Sequence, residues 1–73
     1  MRITAEVKYI RQFSNKVRLR RLELRLSQEK LAELTRCHVN HIGRIERAES
    51  DPSLSMIFRI ASALKILTKD LVP

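Results

Sequence analysis

Thiol and imidazole side chains, the groups best suited to metal binding or proton transfer, cluster near the middle of the chain. Cys37, His38 and His41 fall within one stretch of five residues, and both side-chain types are common zinc ligands. Three candidate ligands within five residues are weak evidence for a zinc site. Cys37 also occupies an apolar position, where a free cysteine packs as a small hydrophobic side chain. We therefore expect no metal and no other cofactor. The sequence also lacks a nucleophile–base–acid set, so no enzymatic activity is expected.

The same stretch carries a second pattern, which predicts two short amphipathic helices joined by a tight turn. Ser27 is a good N-cap for the first, and Leu31 with Ala32 gives that helix an apolar face. Ile42 and Ile45, three residues apart, mark the buried side of the second helix. Its opposite side shows Val39, Asn40, Gly43, Arg44 and Arg47. Because helices this short are unstable alone, the rest of the chain must share a core with them.

Composition limits the fold and indicates a polyanionic partner. A chain of 73 residues with one glycine and two prolines favours a single small helical domain, residues 1–73, over a strand meander. Fifteen Lys and Arg against eight Asp and Glu give a net charge of +7. That excess of positive charge favours a polyanion as binding partner. The alternative is that the charges only keep the protein surface soluble and bind no particular partner. One cysteine excludes an internal disulfide and suits a reducing cytoplasm, and neither a signal peptide nor a membrane span is evident.

The segment before the central pair predicts a long basic helix. Residues 1–5 are expected to be a loose end, and a helix from about Glu6 to Leu24 follows. Its apolar stripe consists of Ile10, Phe13, Val17 and Leu24. A second apolar patch consists of Leu19, Leu22 and Leu26. That patch has two interpretations, contact with the C-terminal segment or contact with a second subunit.

The segment after the central pair predicts two further helices. Ser53 is the expected N-cap of a helix over about Leu54 to Leu64. The apolar set of that helix is Leu54, Ile57, Ile60, Ala61 and Leu64. A last short helix over Lys69 to Leu71 is expected to be capped by Thr68. Five helices in all predict an all-α, compact orthogonal bundle without strands.

Eight residues of the central pair follow a known pattern in order and spacing. They are Ser27, Gln28, Leu31, Ala32, Ile42, Ile45, Glu46 and Arg47. The pattern resembles the helix-turn-helix of the Cro/C1 repressor family, also called the XRE family, and the likeness extends over roughly residues 16–71. The resemblance implies a compact five-helix bundle of the lambda-repressor-like DNA-binding type, with the helix-turn-helix at about residues 27–47.

The resemblance also implies roles for particular residues. The second central helix would lie in the major groove, and its base-contact candidates are Val39, Asn40, His41, Gly43 and Arg44. Asn40 suits adenine, Arg44 suits guanine, and Gly43 would let the helix approach the DNA closely. The phosphate-contact candidates are Ser27, Gln28, Arg36 and Arg47. Arg21 and Glu46 occupy positions that form an ion pair in family members, tying the first helix to the recognition helix.

Three positions depart from the family pattern. Arg25 and Arg36 stand where the family commonly has glycine, and a left-handed backbone there would cost about 1 kcal/mol. His38 replaces the usual Ser or Thr before the second central helix, which predicts a weaker N-cap.

The function that the resemblance implies is sequence-specific recognition of double-stranded DNA. The chain would be a transcriptional regulator, a repressor or an autoregulator, acting as a cytoplasmic, nucleoid-associated homodimer on a roughly palindromic operator. Family members of this length include small phage-type repressors and restriction-modification controller proteins, and no small-molecule effector is expected. One alternative is an antitoxin-like protein-interaction module with secondary DNA binding. RNA binding is a third interpretation, disfavoured by the single Tyr and two Phe.

Overall fold

The computed structural model describes residues 4–73, which form five helices and no strand. The helices are α1 (Thr4–Glu23), α2 (Gln28–Thr35), α3 (Val39–Glu46), α4 (Leu54–Ala63) and α5 (Thr68–Leu71). The predicted all-α five-helix bundle is therefore confirmed. Residues 1–3 of the expected loose end lie outside the described residues, while Thr4 and Ala5 already belong to α1. No helix in the described part of the chain is long and apolar enough to cross a membrane.

Two of the three predicted N-caps are present. The Ser27 hydroxyl accepts a hydrogen bond from the backbone N–H of Lys30 at 2.9 Å, and the Ser53 hydroxyl accepts one from Met56 at 3.1 Å. The prediction for α5 was wrong, because Thr68 is the first helical residue and Leu67 is the N-cap, without a side-chain hydrogen bond. The turn begins one residue early since the Leu67 carbonyl already accepts from the Asp70 N–H at 2.9 Å.

The ends of α1 to α4 share one turn geometry. Arg25, Arg36, Ala48 and Lys65 each have a positive φ, between 54° and 59°. After α2, the Cys37 N–H donates to the Ala32 carbonyl at 3.0 Å and the Arg36 N–H donates to Glu33 at 3.2 Å. This pair of bonds is the Schellman motif, and it recurs at the other three ends. Arg25 and Arg36 therefore keep the left-handed turn without glycine.

Replacing Ala48 with glycine is expected to stabilise the fold. Ala48 has a φ of 59°, where glycine avoids the Cβ strain, and we expect a gain of about 0.5–1 kcal/mol in unfolding free energy. Urea denaturation followed by circular dichroism measures this change. Ala5→Gly is the matched control, because Ala5 is exposed and lies in right-handed helix. An equal gain from both substitutions would contradict the strain at position 48.

The core lies at the centre of the bundle and takes residues from all five helices. Its fully buried large side chains are Val17, Leu31, Thr35, Ile42, Ile45, Ile60, Leu64 and Leu71. Phe13 and Val17 are buried as predicted, whereas the Ile10 and Leu24 ends of the same stripe are only half-buried.

The predicted inner face of α4 was partly wrong. Leu54 is 67% exposed, whereas Met56, which was not in the predicted set, is only 8% exposed. The ridge that enters the core is Met56, Ile60 and Leu64, at spacings of four residues. Leu54 precedes Met56 by two residues, about 200° around the helix, and therefore faces solvent.

Arg20 joins the ends of α1 and α4. Its Nε donates to the Leu64 carbonyl at 2.9 Å and its Nη2 donates to the Lys65 carbonyl at 3.3 Å. A guanidinium here satisfies carbonyls that a helix end leaves free and suits the negative end of the helix dipole.

The second apolar patch predicted from the sequence is only partly covered: Leu19 and Leu22 stay about half exposed, whereas Leu26 packs against the core. Contact of the first two with a second subunit remains a prediction.

Candidate nucleic-acid interface

The turn between α2 and α3 is built from satisfied polar groups. Thr35 is fully buried, and its hydroxyl donates to the Leu31 carbonyl at 2.7 Å. Cys37 is half-buried against the core, with its Sγ 3.3 Å from the Thr35 Oγ. No group of His, Cys, Asp and Glu side chains among the described residues is arranged to hold a metal ion. The turn therefore serves to set α3 against α2.

His38 caps α3 through its imidazole ring. Its Nδ1 accepts a hydrogen bond from the Asn40 backbone N–H at 3.0 Å, and its backbone is extended, as at other N-caps. A ring nitrogen thus takes the place of the hydroxyl cap and satisfies one of the free amides at the start of α3. The sequence analysis placed His38 at this N-cap but did not anticipate that its ring would accept the hydrogen bond, because histidine is not among the residues usually preferred there.

The two sides of α3 differ sharply in burial. Ile42 and Ile45 are fully buried, whereas Asn40, Arg44 and Arg47 are exposed on the other side. A shallow cleft between α2 and α3 is lined by Gln28, Val39, Asn40, Gly43, Arg44 and Arg47. The residues predicted on the outer side of α3 therefore come together with the start of α2 on one open surface. We call this surface the α2–α3 cleft.

Three predicted contact residues lie outside the lining of this cleft. Ser27 is exposed at the start of α2, and His41 is half-buried on α3. Arg36 lines a different cleft, between α2 and α4, together with Leu34, Phe58, Arg59, Ser62, Ala63 and Lys65. Arg36 therefore does not line the α2–α3 cleft.

Gly43 is buried, although the sequence placed it on the open side of α3. A Cβ at this position would lie 2.9 Å from Nη1 of Arg47, which is the nearest atom. The guanidinium of Arg47 therefore covers the Gly43 backbone. Arg47 Nε also donates to a carboxylate oxygen of Glu49 at 3.2 Å.

The ion pair between Arg21 and Glu46 is present and largely shielded from water. Arg21 Nε and Nη2 donate to the two carboxylate oxygens of Glu46 at 2.7 and 3.0 Å. The side chains are only 11% and 3% exposed, respectively. The hydrogen bond to Glu46 raises the pKa of Arg21 above its ordinary value, outweighing the burial that lowers it. Arg21 Nη1 also donates to the Leu26 carbonyl at 2.9 Å, so one guanidinium fixes α1, α3 and the loop before α2.

Gln28 completes this network, a role that the sequence analysis missed. Its amide Nε2 donates to Glu46 Oε1 at 3.1 Å. Gln28 also lines the α2–α3 cleft, where it opens α2 and its backbone amide belongs to the free N–H groups of the helix start. The residue therefore links the buried ion pair to the open surface.

A sequence profile described as helix-turn-helix, HTH_3, matches residues 17–71. The chain belongs to the HTH_3 helix-turn-helix family. The matched region begins in the second half of α1 and includes α2 to α5, and it confirms the resemblance to the XRE-type family. No curated protein matches the chain.

Three solved structures are similar to this HTH_3 chain. The restriction-modification controller protein C.AhdI from Aeromonas hydrophila has a TM-score of 0.82 and 34% identity, over 85% of this chain and 94% of that one. An HTH_3 family transcriptional regulator from Vibrio cholerae has a TM-score of 0.83 and 31% identity, over 89% of this chain but 36% of that one. The hypothetical transcription factor NHTF from Neisseria has a TM-score of 0.85 and 26% identity, over 89% of this chain and 75% of that one.

Proposed function

We propose that the chain is a sequence-specific, double-stranded DNA-binding transcriptional regulator that acts as a homodimer. The HTH_3 family and its regulator neighbours support DNA binding and regulation, in a family that is in general non-enzymatic. The observation that carries the proposal is the contrast across α3. Ile42 and Ile45 fix its inner side in the core, while Asn40, Arg44 and Arg47 stay open along the α2–α3 cleft.

The outer side of α3 suits the major groove. Asn40 and Arg44 are four residues apart and therefore project from the same side of the helix, where an amide can pair with adenine and a guanidinium with guanine. Val39 is half-buried against the core and lines the cleft, where its side chain can contact a thymine methyl. His41 completes the proposed base-reading set.

The start of α2 and the end of α3 supply the proposed phosphate contacts. Ser27 and Gln28 lie at a helix N-terminus, where free amides and the helix dipole favour an anion. Arg47 adds a cation beside the cleft. Arg36 belongs to the α2–α4 cleft, so it contacts a phosphate only where the duplex extends beyond the α2–α3 cleft. Such contacts make affinity strongly dependent on salt.

A homodimer would place two recognition helices in successive major grooves, about 34 Å apart, on a roughly palindromic operator. C.AhdI, which is described as a restriction-modification controller, is nearly the same length as this chain, since the match covers 94% of it. We infer that this chain is a repressor or autoregulator that responds to its own concentration rather than to a small-molecule effector.

The dimer is tested by sedimentation equilibrium at micromolar protein concentration. We expect a mass close to twice the 8.6 kDa of the chain, because a core this small commonly gains stability by association. A species that remains monomeric up to about 100 μM would contradict both the dimer and the palindromic operator.

Selection from a pool of random duplexes, read by sequencing, tests the function itself. We expect an enriched inverted repeat whose half-site centres are about 10 base pairs apart. Enrichment of no motif would contradict sequence-specific recognition.

An antitoxin-like protein-interaction module is the second candidate function. It is favoured by the α2–α4 cleft, where the large side chains of Leu34 and Phe58 are about half exposed. Such a module would bind DNA weakly and with little preference for sequence. The selection experiment therefore distinguishes the two candidates.

A further inference from the structure

We propose that Gly43 is a positioning residue: because it has no side chain, it leaves the space that the Arg47 guanidinium occupies in the α2–α3 cleft. We call this space the seat of Arg47. This inference rests on the proposed function, because the seated guanidinium is the one that meets the DNA. It replaces the expectation from sequence, in which Gly43 lets the DNA itself approach the helix. The two explanations differ in whether the effect of position 43 passes through Arg47.

The geometry at Gly43 favours the indirect role. Gly43 is buried, and Arg47 supplies all three of the nearest atoms that a Cβ there would meet. The closest, Nη1, would lie 2.9 Å from that Cβ, nearer than non-bonded carbon and nitrogen atoms normally pack. An alanine at position 43 therefore requires the guanidinium to move. Because that group is the exposed end of a flexible side chain, it can move without displacing α3.

The chain after α3 holds Arg47 in this seat. Ala48 adopts a left-handed conformation with a φ of 59°, and the Glu49 N–H then donates to the Arg44 carbonyl at 2.8 Å. This turn brings the Glu49 side chain back beside the helix, where its carboxylate accepts from Arg47 Nε at 3.2 Å. The guanidinium is thus held at Nε by Glu49 while its Nη1 lies over Gly43.

The seated guanidinium lies among the proposed contact residues. Arg47 lines the same cleft as Asn40, Arg44 and Gln28, and its side chain is more than half exposed. A charged group restrained at its point of contact loses less side-chain entropy on binding than a free one. Gly43 therefore favours DNA binding without touching the DNA.

The test is a double-mutant cycle on duplex DNA with Gly43→Ala, Arg47→Ala and both together. We expect Arg47→Ala to weaken binding by about tenfold, as for a charge-assisted hydrogen bond, and to lower the salt slope by about one. Gly43→Ala keeps the charge of Arg47 and only displaces it, so it should weaken binding less than Arg47→Ala does. The double variant should be no weaker than Arg47→Ala. If Gly43→Ala weakened binding equally in the Arg47→Ala background, or did not weaken the parent protein, the inference would be overturned.

A second measurement on the free protein separates this inference from the proposed function. In ¹H–¹⁵N spectra without DNA, Gly43→Ala should shift the Arg47 Nε–Hε resonance and leave the backbone amides of Ile42 and Ile45 nearly unchanged. The melting temperature should not fall, because alanine is the better helix former. An unmoved Arg47 resonance would overturn the inference whether or not any operator exists. Failure of the selection experiment, with the resonance shifted as expected, would instead contradict only the DNA-binding role.

Discussion

Replacing Glu46 with alanine is expected to unfold the protein at room temperature. The substitution leaves the Arg21 guanidinium, which is only 11% exposed, without its carboxylate and also removes the acceptor of Gln28. Breaking one partner of a buried ion pair costs about 3–5 kcal/mol. A domain of this size rarely holds more than about 3–5 kcal/mol in total. The loss is therefore comparable with the whole stability of the fold.

The measurement is urea denaturation followed by helical circular dichroism. Arg21→Met combined with Glu46→Leu is the matched control, because removing both charges leaves no unpaired ion and should cost clearly less than Glu46→Ala alone. Lys30→Ala provides a second control, since it breaks an exposed pair with Glu33 and should change stability by less than about 1 kcal/mol. A stable Glu46→Ala variant would show that Arg21 finds another partner or hydrates.

Replacing Arg44 with alanine is expected to reduce sequence discrimination more than affinity for DNA in general. Arg44 is exposed in the α2–α3 cleft, so truncation should not disturb the core. Loss of a bidentate contact to guanine should cost about 1–3 kcal/mol on the selected operator and little on random duplex. Fluorescence anisotropy with the two duplexes at one salt concentration measures both values.

Arg44→Lys keeps the charge but loses the planar fork of donors. It should therefore retain binding to random duplex and still lose preference for the operator. Arg18→Ala, at an exposed site on α1, controls for the loss of one positive charge. Equal losses on both duplexes for Arg44→Ala would mean that Arg44 contacts only a phosphate.

Local signals made much of the fold predictable. Ser27 and Ser53 cap their helices because a hydroxyl at that position needs only neighbouring amides as partners. The positions of glycine in the family pattern marked Arg25 and Arg36 as turn residues but left open whether they adopt a left-handed backbone, which the structure shows that they do. The same geometry at Ala48 and Lys65 carries no comparable signal, because neither residue favours it.

Contacts between helices were less predictable. Periodicity shows which side chains share a face, but a neighbouring helix decides which part of that face is covered. Met56 is buried and Leu54 exposed for this reason. The Gln28 bond to Glu46 and the Arg20 bonds to the end of α4 join residues far apart in sequence, so only the assembled bundle reveals them.

The buried network of Arg21, Glu46 and Gln28 has a practical consequence for altering specificity. The orientation of α3 is fixed on its buried side, by this network and by Ile42 and Ile45, which face away from the cleft. Positions 40 and 44, whose side chains are exposed, can therefore be randomised together as a library while the scaffold that orients them stays constant. Variants with new target preferences should be recoverable from these two codons.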